Sequence, residues 1–384
     1  MNDLFHPALL PTGLYDLLPP EAENEAAAVA QMMATLAAHG YRRVKPPLAE
    51  FEETLFAGAG AAMAPLTFRM MDPVSHRMVG LRADMTPQVA RIAATRLSHM
   101  PRPLRLSYAG QVLRVKGSEI RPDRQIGQVG AELIGAAGAA ADVEAITVAA
   151  EALAAAGVPL LSADLTAPTL VPAVAEAYGL AGHRAAALRA ALDRKDSAAV
   201  AAVAGEAGAV LRQLLAAAGP ADAALAALDR LELPQRARAE RERLAAVRDG
   251  LAAAMPDLQV TIDPVENRGF EYHTGISFSF FAGNMPGLGE LGRGGRYEAG
   301  APAEPEPATG FTLYTDMVLR TLPQREGPRR ILVPLGSDPA HARALRAEGW
   351  IAVAALEPAA DWRAEARRLG CTHLLEGDAP VALR

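Results

Sequence analysis

The stretch that most restricts the fold of this chain is Leu106 to Gly135, LSYAGQVLRVKGSEIRPDRQIGQVGAELIG. Two runs of strand-forming residues flank a polar, charged loop, which specifies a pair of neighbouring strands. In the second run the period of two projects Ile126, Gln128, Gly130, Glu132 and Ile134 from one face. That face carries an amide, a gap at Gly130 and a carboxylate, where a purely structural strand carries apolar side chains. Either it is built to receive something small and polar, or it is the wet face of an edge strand. The strand alone leaves both readings open.

The surrounding chain supplies context. Glu21 to about Ala38 reads as a helix with Val29, Met32, Met33 and Leu36 as its apolar stripe, stopped by Gly40. Tyr41 to Val44 reads as a strand broken by Pro46-Pro47, and Phe68 to Leu81 as a hairpin. Thr86-Pro87 starts a helix, with the Thr86 hydroxyl as its N-cap. Asp84, just outside, either offsets the helix dipole or faces a cavity. Residues 136–156 read as a helix and Val158 to Leu165 as a strand. Residues 167–254 form an alanine-rich helical insert with solvated charged faces and no site chemistry.

Strand signals return at Leu258 to Ile262 and at Tyr272 to Phe281. The loop between them, Glu266 to Gly275, holds Arg268, Tyr272 and His273 and resembles a site loop, although a surface ion pair is the commoner fate of an arginine. Gly287 to Gly292 matches GxGxxG, but the following RGGRYEAGAPAEPEP cannot open a helix, so the dinucleotide reading fails. Residues 299–307 form a loop, and Thr309 to Leu322 a helix or strand-to-helix element. Pro323 to Arg329 reads as a linker, and Arg330 to Arg384 as a small module alternating strand and helix.

Composition removes several function classes. A net charge of −6 argues against a protein held to nucleic acid mainly by phosphate contacts. The single cysteine, Cys371, excludes an internal disulfide framework and a cysteine zinc site, and fits a reducing, cytoplasmic location. No signal peptide is evident, and no apolar run of roughly 18 or more residues other than alanine suggests a membrane span.

Taken in order, these segments resemble the class II aminoacyl-tRNA synthetase core, and specifically the histidyl-tRNA synthetase family. Gly13-Leu-Tyr-Asp-Leu-Leu-Pro19 resembles that family's N-terminal signature, and Gly40 to Pro47 its motif 1. Arg82-Ala-Asp-Met-Thr86 resembles the element whose acid and threonine hold the amino group of histidine. The opening stretch is similar to motif 2, with Arg114 at the motif arginine and Gln128 and Glu132 at histidine-binding positions. Arg268-Gly-Phe-Glu-Tyr-His273 resembles Arg-Gly-Leu-Asp-Tyr-Tyr, and Gly294-Gly-Arg-Tyr297 matches Gly-Gly-Arg-Tyr.

The departures lie at the nucleotide end. The family's motif 3 reads roughly Gly-Phe-Ala-x-Gly-x-Glu-Arg, and here Gly310-Phe-Thr-Leu-Tyr-Thr-Asp-Met317 places Met317 at the phosphate-binding arginine and Tyr314 at the glycine. Lys116 stands where motif 2 has a carboxylate, and His273 where the signature has its second tyrosine. Losing one charged phosphate clamp costs about 10²–10³-fold in rate, and several positions change together.

The resemblance thus implies an α+β fold: a class II synthetase-like antiparallel sheet flanked by helices over 1–322, with the insert at about 167–254. A shortened anticodon-binding-like α/β domain covers 330–384. It implies a non-catalytic histidine sensor, similar to the regulatory-subunit paralogues of histidyl-tRNA synthetase. Those paralogues associate with the short-form ATP phosphoribosyltransferase catalytic subunit, typically in a hetero-octamer, and transmit feedback inhibition by L-histidine. The implied histidine contacts are Asp84, Thr86, Arg114, Gln128, Glu132, Arg268, Tyr272, His273 and Tyr297, with self-association as a dimer, poor tRNA binding, and no cofactor or metal. A divergent histidyl-tRNA synthetase, or a paralogue acting on another carboxylate, remains the alternative.

Overall fold

The computed structural model describes residues 9–117, 121–266, 272–285, 287–300, 304–323, 327 and 329–383. The chain divides into two compact units, Met1–Leu322 and Pro323–Arg384.

The first unit contains strands β1 (Arg42–Arg43), β2 (Ala49–Phe51), β3 (Arg69–Met71), β4 (Met78–Leu81), β5 (Leu104–Leu113), β6 (Gln125–Ile134), β7 (Leu161–Thr166), β8 (Gly219–Pro220), β9 (Gln259–Ile262), β10 (Ser277–Ala282), β11 (Gly292–Ala299) and β12 (Glu306–Tyr314). Its helices are α1 (Glu21–Ala38), α2 (Glu52–Leu55), α3 (Thr86–Thr95), α4 (Ala139–Ala156), α5 (Leu170–Ala177), α6 (Gly182–Asp193), α7 (Ser197–Ala204), α8 (Gly208–Ala216), α9 (Ala221–Leu228), α10 (Gln235–Ala254) and α11 (Thr315–Leu319). A nine-stranded sheet runs β1-β5-β6-β12-β11-β10-β7-β9-β8, and β2-β4-β3 form a small antiparallel sheet beside it. From β5 through β7 every pairing is antiparallel. The fold is α+β, of the class II synthetase type.

β6 lies between β5 and β12, so the edge-strand reading fails: Gln128 and Glu132 are each 1% exposed. Helices cover the sheet. α1 forms because Ala28, Met32 and Leu36 recur at helical spacing, and all three are buried. Burying a side chain the size of Met32 or Leu36 contributes about 1.5–3 kcal/mol. Gly40, with φ +81°, takes the left-handed conformation that ends the helix. α4 is so rich in alanine that it packs closely against α1, α10 and the sheet, with Ala145, Ala149 and Ala152 fully enclosed.

Two local readings change. The α3 cap is not the Thr86 hydroxyl. Thr86 is the first helical residue, and its N–H donates to Asp84 Oδ1 at 2.9 Å, so Asp84 supplies the acceptor. Tyr272 precedes β10 rather than opening it. The insert is helical from α5 to α10 apart from β8, which adds two residues to the sheet beside β9. Its stretch Ser197–Ala216 is long and apolar enough to cross a membrane by length and composition. Gly205, with φ +57°, breaks it into α7 and α8, and Val200, Ala204, Leu211 and Leu214 are buried within the protein.

The second unit contains β13 (Arg330–Val333), α12 (Pro339–Ala347), β14 (Ile351–Ala354), α13 (Trp362–Arg368), β15 (His373–Glu376) and β16 (Ala379–Ala382), with sheet order β14-β13-β15-β16. Asp338 and Asp361 cap the two helices by accepting from Ala340 N and Arg363 N. β16 lies beyond the strands read from sequence. It is short, contains Pro380 and sits at the edge, where a missing N–H is tolerated.

Candidate functional site

The centre of the sheet is carved by glycines. Tyr108 on β5, Gly130 on β6 and Thr312 on β12 stand side by side, as do Leu106, Glu132 and Gly310. A Cβ on Gly130 would run into Cζ and the hydroxyl of Tyr108, and one on Gly310 into the Glu132 carboxyl. The gap at Gly130 therefore receives the Tyr108 phenol of the neighbouring strand rather than a ligand. This corrects the expectation from sequence, and the cause is strand register.

Glu132 is enclosed among hydroxyls. Tyr297 donates to Oε2 at 2.9 Å and the Tyr108 hydroxyl lies 3.2 Å from Oε1. The same Tyr108 oxygen lies 2.8 Å from Thr312 Oγ1 and 3.2 Å from Thr86 Oγ1. Burial pushes the Glu132 carboxyl up to about 8, aided by the nearby charge of Asp84 and opposed by the hydroxyl donors. Burial and the Glu132 charge likewise raise both phenols well above the usual tyrosine value.

Asp84 reaches the same place from the turn before α3. Its Oδ2 accepts from Gln128 Nε2 at 2.8 Å, and Gln128 Oε1 accepts from Met85 N–H at 3.1 Å. Both ends of Gln128 are thus used within the protein. It does not line the cavity, and its part is to aim Asp84. Arg82, buried just upstream, anchors that turn by donating to Gln111 O at 2.8 Å and Pro46 O at 3.0 Å.

Above this floor opens a cavity of about 920 Å³, whose lining includes Asp84, Thr86, Arg114, Lys116, Tyr272 and Met317. A chamber of about 40 Å³ beneath it is lined by Glu132, His273, Tyr297 and Gly310, and shares Asp84, Thr86, Tyr272, Arg293 and Tyr314 with the larger space. The chamber alone holds little more than a water or two, so it has room only for one end of a ligand whose bulk lies in the outer cavity. Tyr272 and His273 stack with ring centroids 4.1 Å apart. Arg114 lines only the outer cavity and donates to Ala83 O at 3.3 Å. The structure thus brings together Asp84, Thr86, Glu132, Tyr272, His273 and Tyr297, with Arg114 further out. Arg268 lies outside the described residues.

The outer end is clasped by the protein itself. Arg121 Nη2 holds both oxygens of Asp316, at 2.6 and 2.8 Å, and the guanidinium lies over the Tyr314 ring. Met317 beside them is 1% exposed and is among the residues lining the cavity. Two contributors escaped the sequence reading. Tyr108 becomes visible only with the β5–β6 register. Arg293 was legible, because it shares a face with Gly295 and Tyr297 at the strand period; it pairs with Glu290 at 2.8 Å.

Comparison with known proteins bears on the family and the fold. The family model for histidyl-tRNA synthetase matches residues 13–318. An ATP phosphoribosyltransferase regulatory subunit of Paramagnetospirillum magneticum is 58% identical over 381 residues, 99% of each chain. One from Rhodospirillum centenum is 58% identical over 370 residues, 96% of this chain and 95% of its own. Among solved structures, a Bacillus halodurans protein titled as such a regulatory subunit/histidyl-tRNA synthetase superposes with a TM-score of 0.81 at 24% identity, covering 94% of this chain and 96% of its own. Histidyl-tRNA synthetase from Nostoc gives 0.79 at 19%, covering 95% and 90%. With that model match, and with relatives of that identity over nearly the whole chain, the chain belongs to the histidyl-tRNA synthetase-like family of ATP phosphoribosyltransferase regulatory subunits.

Proposed function

We propose that this chain activates a short-form ATP phosphoribosyltransferase catalytic subunit in the first step of histidine biosynthesis, and that L-histidine bound over Glu132 mediates feedback inhibition. The observation that carries the reading is the division of one cavity into a polar floor and a clasped mouth. The floor offers Asp84 to an α-ammonium and Glu132 with Tyr297 to an imidazole. Arg114 stands where a carboxylate would lie, and Arg268 joins it by family resemblance alone. At the mouth, Arg121 is neutralised by Asp316 and Met317 offers no charge to a phosphate. A site that binds an amino acid without activating it is a sensor rather than a synthetase.

Histidine then acts by binding one conformation of the subunit better than another. A preference of about 5–150-fold couples to the partner by about 1–3 kcal/mol. A hetero-octamer built on a dimer of this chain, in the cytoplasm and without tRNA, completes the proposal. The test is to mix the purified protein with a short-form catalytic subunit and follow phosphoribosyl-ATP formation with and without histidine. Stimulation that histidine suppresses is the expected result; absence of stimulation overturns the assignment. Histidine-dependent ATP–pyrophosphate exchange by this chain alone would return it to the synthetases.

A further inference from the structure

Among the described residues, no lysine, arginine or histidine forms an ion pair with Glu132, whose side chain is buried. It is held by neutral oxygens, and their hydrogens can be arranged in two ways. The Tyr108 oxygen has one proton to give and two lone pairs. Its possible acceptors are Glu132 Oε1 at 3.2 Å and the Phe311 carbonyl at 3.3 Å. Thr312 and Thr86, at 2.8 and 3.2 Å, can donate to it. With Glu132 ionised, Tyr108 and Tyr297 donate to its two oxygens. With Glu132 protonated on Oε1, the carboxyl and Thr312 fill the two lone pairs of Tyr108, which turns its own proton to Phe311, while Thr86 donates to the carboxyl instead. No heavy atom moves between the two arrangements.

We infer that Tyr108 is a hydroxyl switch beneath Glu132. It lets the carboxyl carry a proton in the empty site. When a ligand enters, that proton turns from the Tyr108 oxygen to a basic ring nitrogen and Tyr108 turns its own proton back to the carboxyl, so that the chamber selects a ring that accepts a hydrogen bond. The inference rests on histidine being the ligand. Among the described residues, the other ionisable groups facing Glu132 are Asp84 before α3, Tyr108 on β5, Tyr297 and Arg293 on β11, Tyr314 on β12, and Tyr272 and His273 before β10. Asp84 opposes a second negative charge, and Arg293 is paired with Glu290. Burial pushing the carboxyl up to about 8 agrees with the hydrogen count.

The proton balance follows. Below about pH 8 the protein brings the proton, and it either stays on Glu132 or moves to the ring nitrogen, breaking the carboxyl O–H and forming N–H. Above that pH each binding event takes up one proton from solution. Affinity then falls about tenfold per pH unit.

The test is calorimetry of L-histidine binding from about pH 6.5 to about pH 9.5 in buffers of different ionisation heat, for the wild type, Glu132→Gln and Tyr108→Phe. Glu132→Gln records the ionisation of the ligand's own ammonium. The wild type should take up about one more proton than Glu132→Gln above about pH 8, and none below it. Tyr108→Phe should move that limb to higher pH, because the ionised carboxylate loses a donor. Equal proton uptake by the wild type and Glu132→Gln, or an unmoved limb in Tyr108→Phe, overturns the inference and leaves the histidine pocket standing. No histidine binding to the wild type at any pH removes both.

Discussion

The guanidinium carbon of Arg121 lies 4.2 Å from the ring centroid of Tyr314. The loop between β5 and β6 is thereby stacked onto the last residue of β12, where a glycine of motif 3 would leave open space in a synthetase. Asp316, at the start of α11, completes the hold with its bidentate pair. A carboxylate of the chain and a ring of the chain thus occupy the arginine.

Asp316→Asn should loosen this clasp. The paired side chains are 17% and 8% exposed, so the interaction is partly buried. Breaking a buried pair costs about 3–5 kcal/mol, and solvent screening reduces that to about 1–3 kcal/mol here. The urea midpoint should fall accordingly. An unchanged midpoint would mean that stacking on Tyr314 alone holds the loop.

Glu132→Gln should flatten the dependence of stability on pH. Burial raises the folded pKa from 4.5 to about 8. The native state therefore binds the extra proton between those values. The associated stability is fully present below about 4.5, is lost as pH rises, and is gone above about 8. At about 1.36 kcal/mol per unit the loss is roughly 5 kcal/mol. The amide does not titrate, so the variant should lose far less stability than the wild type between about pH 5 and pH 9 in chemical denaturation. Parallel curves for the two proteins would show that Glu132 is already ionised at low pH.

Gly310→Ala should damage both stability and ligand binding. The added methyl meets the Glu132 carboxyl and the Ala131 carbonyl, 2.7 Å from the latter. One partner is strand backbone and cannot yield. Overpacking of this kind costs about 1–3 kcal/mol or more. Thermal unfolding gives the first effect, and histidine affinity of the folded fraction gives the second. Retained affinity at full stability would place the carboxyl elsewhere.

The local parts of this molecule were readable because their signals are local. α1 follows from apolar spacing and a closing glycine, and β5 and β6 from β-forming runs around a polar loop. The clasped mouth was half readable: a methionine in place of an arginine is visible by type alone, whereas the Arg121–Asp316 pair spans two distant segments. What failed depended on register. Gly130 looks like a vacancy until Tyr108 is placed opposite it, and Thr86 looks like a cap until Asp84 folds back onto its N–H. A strand pattern shows which face a side chain takes but not which neighbour it meets.

Gln128 is where that distinction is easiest to measure. A ligand contact and a brace make different demands on the same amide. The structure gives its nitrogen to Asp84 and its oxygen to Met85 N–H, and leaves it outside the cavity lining. Gln128→Leu keeps the size but strips both bonds. The Met85 N–H is then buried without a partner, which costs about 1–3 kcal/mol. Asp84 keeps its bond from Thr86 N–H but loses its aim. Histidine affinity should fall, and affinity for an imidazole without an amino group should hardly change, because the proposed pose sets Asp84 against the ammonium and Glu132 against the ring. Gln128→Glu should be worse than Gln128→Leu, since it sets a second carboxylate against Asp84 in an enclosed place. Equal losses for histidine and the amine-free ring in Gln128→Leu would show that the floor as a whole has collapsed, and that Gln128 does not act through Asp84.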